Sequence, residues 1–128
     1  MVEKVCHAWR CEAAKLPIKY HLDYALHRDK DIIAWLEIRV REYSFQKLDA
    51  LGGYMLALSK WEAAKQLVET TERPFALVVK ATDGTRAAVF EDMPQLSPSI
   101  SGRGTLRDWQ DTEPCVFIPI REFKRVIA

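Results

Sequence analysis

Residues 34–42, AWLEIRVRE, alternate too regularly for a helix and fix one element of any fold this chain adopts. Leu36, Ile38 and Val40 point to one side; Trp35, Glu37, Arg39 and Arg41 point to the other. A half-buried strand with a solvated polar face accounts for such a pattern. Whether that is enough depends on what lies beside Glu37. Residues 19–27, KYHLDYALH, also alternate, with Tyr20, Leu22, Tyr24 and Leu26 on one face. With RDKD as the turn, the two runs predict a hairpin whose second strand covers 32–41.

The apolar faces set the register of that hairpin. A turn made of Asp29, Lys30 and Asp31 pairs Arg28 with Ile32, Leu26 with Ala34, Tyr24 with Leu36 and Leu22 with Ile38, which gives one coherent apolar side. A turn of even length would set Leu22 against Glu37 or Arg39. In the favoured register Asp23 lies opposite Glu37, with Cβ atoms about 4.5–5.5 Å apart, and like charges so placed repel. Relief can come from neighbouring Arg39, a raised carboxyl pKa, exposure to water or a bound divalent cation.

Further along, Val2, Val5, Cys6, Trp9, Ala13 and Leu16 recur at helical spacing, which predicts a helix over 3–16 ended by Pro17. A polar connection containing Gly52 and Gly53 follows the hairpin. Residues 54–70, YMLALSKWEAAKQLVET, are rich in helix formers, and Pro74 bars continuation. FALVVKA and RAAVFE read as strands joined across TDGT, where Asp83 and Gly84 signal a hairpin. Residues 93–114 form a long loop rich in Pro, Gly and Ser. CVFIPI is a last strand, and REFKRVIA a short helix or tail. The order predicts an α/β or α+β fold, a central mixed β-sheet flanked by helices.

Composition excludes several classes. The 128 residues are 48% hydrophobic and 29% charged, as in an ordinary globular domain, and the length suits a single one spanning 1–128. No apolar run approaches the ~18 residues of a membrane span, and MVEKVCHAWRCEAAK is too charged for a signal peptide. The net charge of +1 argues neither for nor against nucleic acid. An odd cysteine count (Cys6, Cys11 and Cys115) fits reduced thiols in a cytosol-like compartment.

On the long predicted helix, at about 100° per residue, Lys60 projects from the sector that holds Leu56, Ala57, Ala63, Ala64 and Leu67. A lysine there either snorkels to the edge or turns its ammonium into a polar site.

LDYALHRDKDIIAWLEIRVR, then YMLALSKWEAAKQL, PFALVVKATDG and PCVFIPIREF, resemble small phage-type proteins of the PD-(D/E)xK nuclease superfamily. The similarity runs from Lys19 to Lys124. It implies a restriction-endonuclease-like core and metal-dependent hydrolysis of DNA phosphodiesters. By resemblance Asp23 is the motif's aspartate and Glu37 its second acid. Both would be ligands for Mg²⁺ (or Mn²⁺), with the Ile38 carbonyl as a third. Glu12 resembles the accessory acid that many members supply from their first helix. The chain departs from the motif at Arg39, which stands where the family has lysine. Arginine stays protonated but can bind a phosphate oxygen. Some members carry the lysine on a following helix, and Lys60 is the natural substitute here, so catalysis requires Lys60 to reach the carboxylates. The resemblance implies DNA as partner, no membrane, a cytoplasmic location (the host cytosol if phage-encoded) and allows a homodimer.

Other residues admit two readings. Arg41 would lie at the rim of the site. Arg103, Arg107 and Trp109 could track a nucleic-acid backbone and stack on a base, or belong to a solvated loop. Gln110 and Asp111 would complete the site only if the loop brings them there. Lys47 and Lys65 extend a basic rim or are merely solvated. His21 and His27 share the predicted face of Asp23. Cys6, His7 and Cys11 lack the fourth ligand of a zinc site. Two further functions compete with the nuclease: a nuclease-fold DNA-binding module without catalysis, suggested by Arg39, and a protein-interaction module using the 92–113 loop.

Overall fold

The computed structural model describes residues 1–17, 20–101 and 113–126. A six-stranded mixed sheet runs in the order β1-β2-β3-β5-β6-β9. Its strands are β1 (Glu12–Lys15), β2 (Tyr24–Arg28), β3 (Asp31–Val40), β5 (Phe75–Ala81), β6 (Gly84–Phe90) and β9 (Phe123–Arg125). Among the described strands only β3 and β5 pair in parallel. Such a pair needs a long crossover, and here it holds α2 (Phe45–Ala50), β4 (Tyr54–Ala57) and α3 (Leu58–Thr71). A second sheet, β4-β8-β7, joins β4 to β8 (Glu113–Ile118) and β7 (Ser99–Ser101). No helix among the described residues is long and apolar enough to cross a membrane.

Both faces of the central sheet are covered, which explains why FALVVKA is apolar without alternation. Phe75, Leu77 and Val79 join Trp35, Trp61 and Val116 in the larger core beneath α3 and the small sheet. Ala76 and Val78 join Val5, Leu26 and Leu36 in the smaller core beneath α1 (Val2–Trp9).

The expected hairpin forms, with three differences. Asp29 and Lys30, at φ 51° and 70°, make a two-residue turn instead of one of three. A bulge beside Leu26 and His27 restores the parity, so Tyr24 still meets Leu36 and Leu26 meets Ala34, while Arg28 meets Asp31. The first strand begins only at Tyr24, since the chain bends before it and His21 is left-handed (φ 62°). The supposed common face is therefore split. Leu22 enters the larger core, whereas Leu26 lies in the smaller one with Tyr24 against it.

The expected helix over 3–16 stops at Trp9. Arg10 adopts φ 53°, its N–H and that of Cys11 close on His7 O and Cys6 O, and Glu12–Lys15 departs as an edge strand against β2. The helix over 54–70 begins late, because residues 54–57 pair with β8. The polar connection contains α2, capped where the Ser44 hydroxyl accepts the Lys47 N–H at 3.0 Å. The tail carries a 3₁₀ turn, Ile120–Glu122, and then β9 rather than a helix.

Candidate active site

β3 is an interior strand, and β2 leaves its flank at Tyr24. Beyond that point the Ile38 N–H has no β2 backbone to donate to. It donates instead to Asp23 Oδ2 at 2.9 Å. Asp23 is held at this spot because its own carbonyl accepts the Leu16 N–H at 2.9 Å. The first acid is thus fixed between an N–H of β3 and the residue that follows β1.

Glu37 follows from the alternation of β3, which turns it with Trp35 toward α3. It is the one charged residue among those described that is fully buried, at 0% exposure. Lys60, in the first turn of α3, reaches across the layer. Its Nζ stands 2.9 Å from Glu37 Oε2 and donates to His21 O at 2.8 Å. The ammonium is thereby turned into a polar site.

Arg39, two residues on along β3, folds back over the same cluster. Nη1 lies 3.3 Å from Asp23 Oδ2 and donates to Ile38 O at 2.8 Å, while Nη2 pairs with Glu37 Oε2. Burial raises the Glu37 pKa above its ordinary value, Lys60 and Arg39 pull it down, and Asp23 adds to the rise. Of the ways to relieve two facing acids, the structure uses the bridging guanidinium and a raised carboxyl pKa, and Asp23 also keeps 32% of its side chain exposed. Neither Glu37 oxygen receives a well-directed hydrogen bond among the described residues; Oε2 is met by cations, and Oε1 is an orphaned buried acceptor.

Four expected residues, Asp23, Glu37, Arg39 and Lys60, therefore meet in one place with the Ile38 carbonyl. Arg41 stands apart: it donates to Val40 O at 3.0 Å and lies over the Tyr54 ring at 5.2 Å. Glu12 is not brought in. It belongs to β1 rather than to a helix, is 82% exposed and sits 3.6 Å from His27 Nδ1. Both line an open groove of about 940 Å³ that also involves Cys6, Cys11 and Arg28. His21 contributes its carbonyl to Lys60, not its ring. Arg103, Arg107, Trp109, Gln110 and Asp111 lie outside the described residues. Tyr54 was not foreseen. Its hydroxyl is buried with no well-formed hydrogen bond among the described residues, and burial raises its pKa against the pull of Arg41 and Arg39. Its only signal in the sequence is the short alternation of YMLA, masked by the helix formers after it.

Two acids from adjoining segments, a strand carbonyl and two cations thus meet at one place on a mixed sheet. The chain belongs to the family described as "Phage putative PDDEXK endonuclease", which matches residues 1–126. Among solved structures it is similar to Hjc, a Holliday junction resolvase from the archaeal hyperthermophile Archaeoglobus fulgidus. That likeness has 10% identity and a TM-score of 0.48, and covers 68% of this chain and 73% of the other. No curated protein matches.

The family implies a divalent metal. Among the described residues no three His, Cys, Asp or Glu side chains gather closely enough to hold one. The donors present are two carboxylates and a carbonyl. An all-oxygen set with an orphaned buried carboxylate oxygen fits a hard cation that keeps several waters.

Proposed function

We propose that the chain is a metal-dependent DNA nuclease that hydrolyses phosphodiester bonds. Asp23, Glu37 and the Ile38 carbonyl would hold Mg²⁺ or Mn²⁺, and Lys60 takes the role of the motif lysine. The observation that carries this reading is Lys60 Nζ at 2.9 Å from Glu37 Oε2, delivered from a different element. When bound, the ion polarises the phosphate and lowers the pKa of a coordinated water. Lys60 keeps 26% of its side chain exposed, so its ammonium can both restrain Glu37 and hold the attacking water. Arg39 supplies a second positive charge for the phosphate oxygens, on which negative charge grows as water adds to phosphorus and a P–O bond breaks. Arg41, Arg103, Arg107 and Trp109 belong to this reading as DNA contacts, as do a homodimer and a host-cytosol location.

The test is a panel of single-stranded, duplex and branched DNA with Mg²⁺ or Mn²⁺. Cleavage is expected with metal, and Asp23→Asn or Glu37→Gln lowers it by a factor on the order of a hundred or more with the fold retained. No cleavage of any substrate with either metal overturns the proposal. A second reading, a DNA-binding module without catalysis, is favoured by the hold of Arg39 on all three oxygen groups. It predicts salt-sensitive DNA binding that does not depend on metal.

A further inference from the structure

The three groups that Arg39 touches, Asp23 Oδ2, Ile38 O and Glu37 Oε2, come from the same three residues that would hold a divalent ion. The motif lysine, an ammonium on a flexible stem, has no comparable fork; the planar guanidinium of arginine can span several oxygens at once. We infer that Arg39 is a resident cation of the metal position, and that an ion enters only by displacing it. This inference rests on the metal-dependent reading above.

Two features of the site favour it. Arg39 keeps 27% of its side chain exposed, so the guanidinium has water beside it and a way out. Glu37, by contrast, is fully buried among the core side chains of β3 and cannot follow it. Departure of Arg39 leaves Glu37 with Lys60 still at 2.9 Å, so the buried acid keeps one cation throughout the exchange. Metal-free protein thus holds its acids neutralised, and its affinity for metal is lowered by the contacts that must first be broken.

The test measures Mn²⁺ binding to the full chain by calorimetry, without DNA, for wild type, Arg39→Lys and Lys80→Gln. Arg39→Lys keeps the charge but loses the fork, whereas Lys80→Gln removes an exposed charge from the neighbouring strand, opposite Val40, without freeing any of the three oxygen groups. Tightening by about tenfold, equivalent to about 1.4 kcal/mol, is expected for Arg39→Lys, with Lys80→Gln within about threefold of wild type. In wild type, Mg²⁺ should shift the NMR signal of the Arg39 Nε–H, a readout that stands even if Arg39→Lys fails to fold. Unchanged Mn²⁺ affinity in folded Arg39→Lys, or an Arg39 signal that stays fixed while metal binds, overturns the inference. If wild type also cleaves DNA with metal, the nuclease reading survives that result. Failure of every protein to bind Mn²⁺ removes both.

Discussion

Burial and the two neighbouring cations act on Glu37 in opposite directions, and burial is the larger influence. The folded carboxyl therefore binds its proton more tightly than the unfolded one. An acid shifted this way contributes most to stability below its ordinary value of 4.5, and the contribution is lost as pH rises through the folded pKa. Glu37→Gln does not titrate. The unfolding free energy of wild type minus that of Glu37→Gln should accordingly fall as pH is raised from about 4 toward neutrality. Urea midpoints over a pH series measure this slope. A difference that rises with pH would mean that Lys60 and Arg39 outweigh desolvation, and the assignment of the shift to burial would be wrong.

Among the elements, β4 shows how a glycine decides where a strand can dock. Gly53 has φ 123°, and a Cβ there would stand 2.5 Å from Ile118 O, a backbone atom that cannot yield without moving β8. Gly84 has φ 136° with nothing within 4 Å of a Cβ. Gly84→Ala should therefore lose about 1–2 kcal/mol to backbone strain alone, and Gly53→Ala more than that, roughly 3 kcal/mol or beyond. Denaturant unfolding of the two variants checks the order, and equal losses would refute the close approach. This junction also shows what the sequence could not disclose. Residues 54–57 are good helix formers, and they are strands only because β8, far along the chain, pairs with them. Arg10 turns left-handed without the glycine or asparagine that announces a helix end. Asp29 and Lys30 make a turn that favours Asn-Gly without containing either residue. The candidate site was more legible. Parity along β3 does not depend on where the strand begins, so Glu37 faces α3 as expected. The sector assigned to Lys60 counted Leu56 and Ala57, which lie in β4, and α3 buries Trp61, Ala64 and Val68, yet Lys60 still reaches Glu37. Tyr54 was hidden because its strand was.

At the scale of the molecule, the central sheet separates two cores that have no side chain in common among the described residues. The site lies on the α3 side with Trp35 and Trp61, while Val5 of α1 is fully buried on the other. Val5→Ala removes two methyl groups from that second core and should lower stability by about 1.5–3 kcal/mol. Since the sheet stands between, the cleavage rate per folded molecule should not change. The same separation governs pairs of substitutions. Losses from Val5→Ala and Lys60→Met should add to within about 0.5 kcal/mol, because their side chains have no partner in common. Glu37→Gln with Lys60→Met should not add, because these groups are in contact at 2.9 Å and either change alone already removes that contact. Chemical denaturation of the three single and two double variants measures both couplings. A coupling above about 1 kcal/mol between Val5 and Lys60 would mean that the sheet transmits packing from one face to the other. In that case α1 would have to be counted among the elements that position the site.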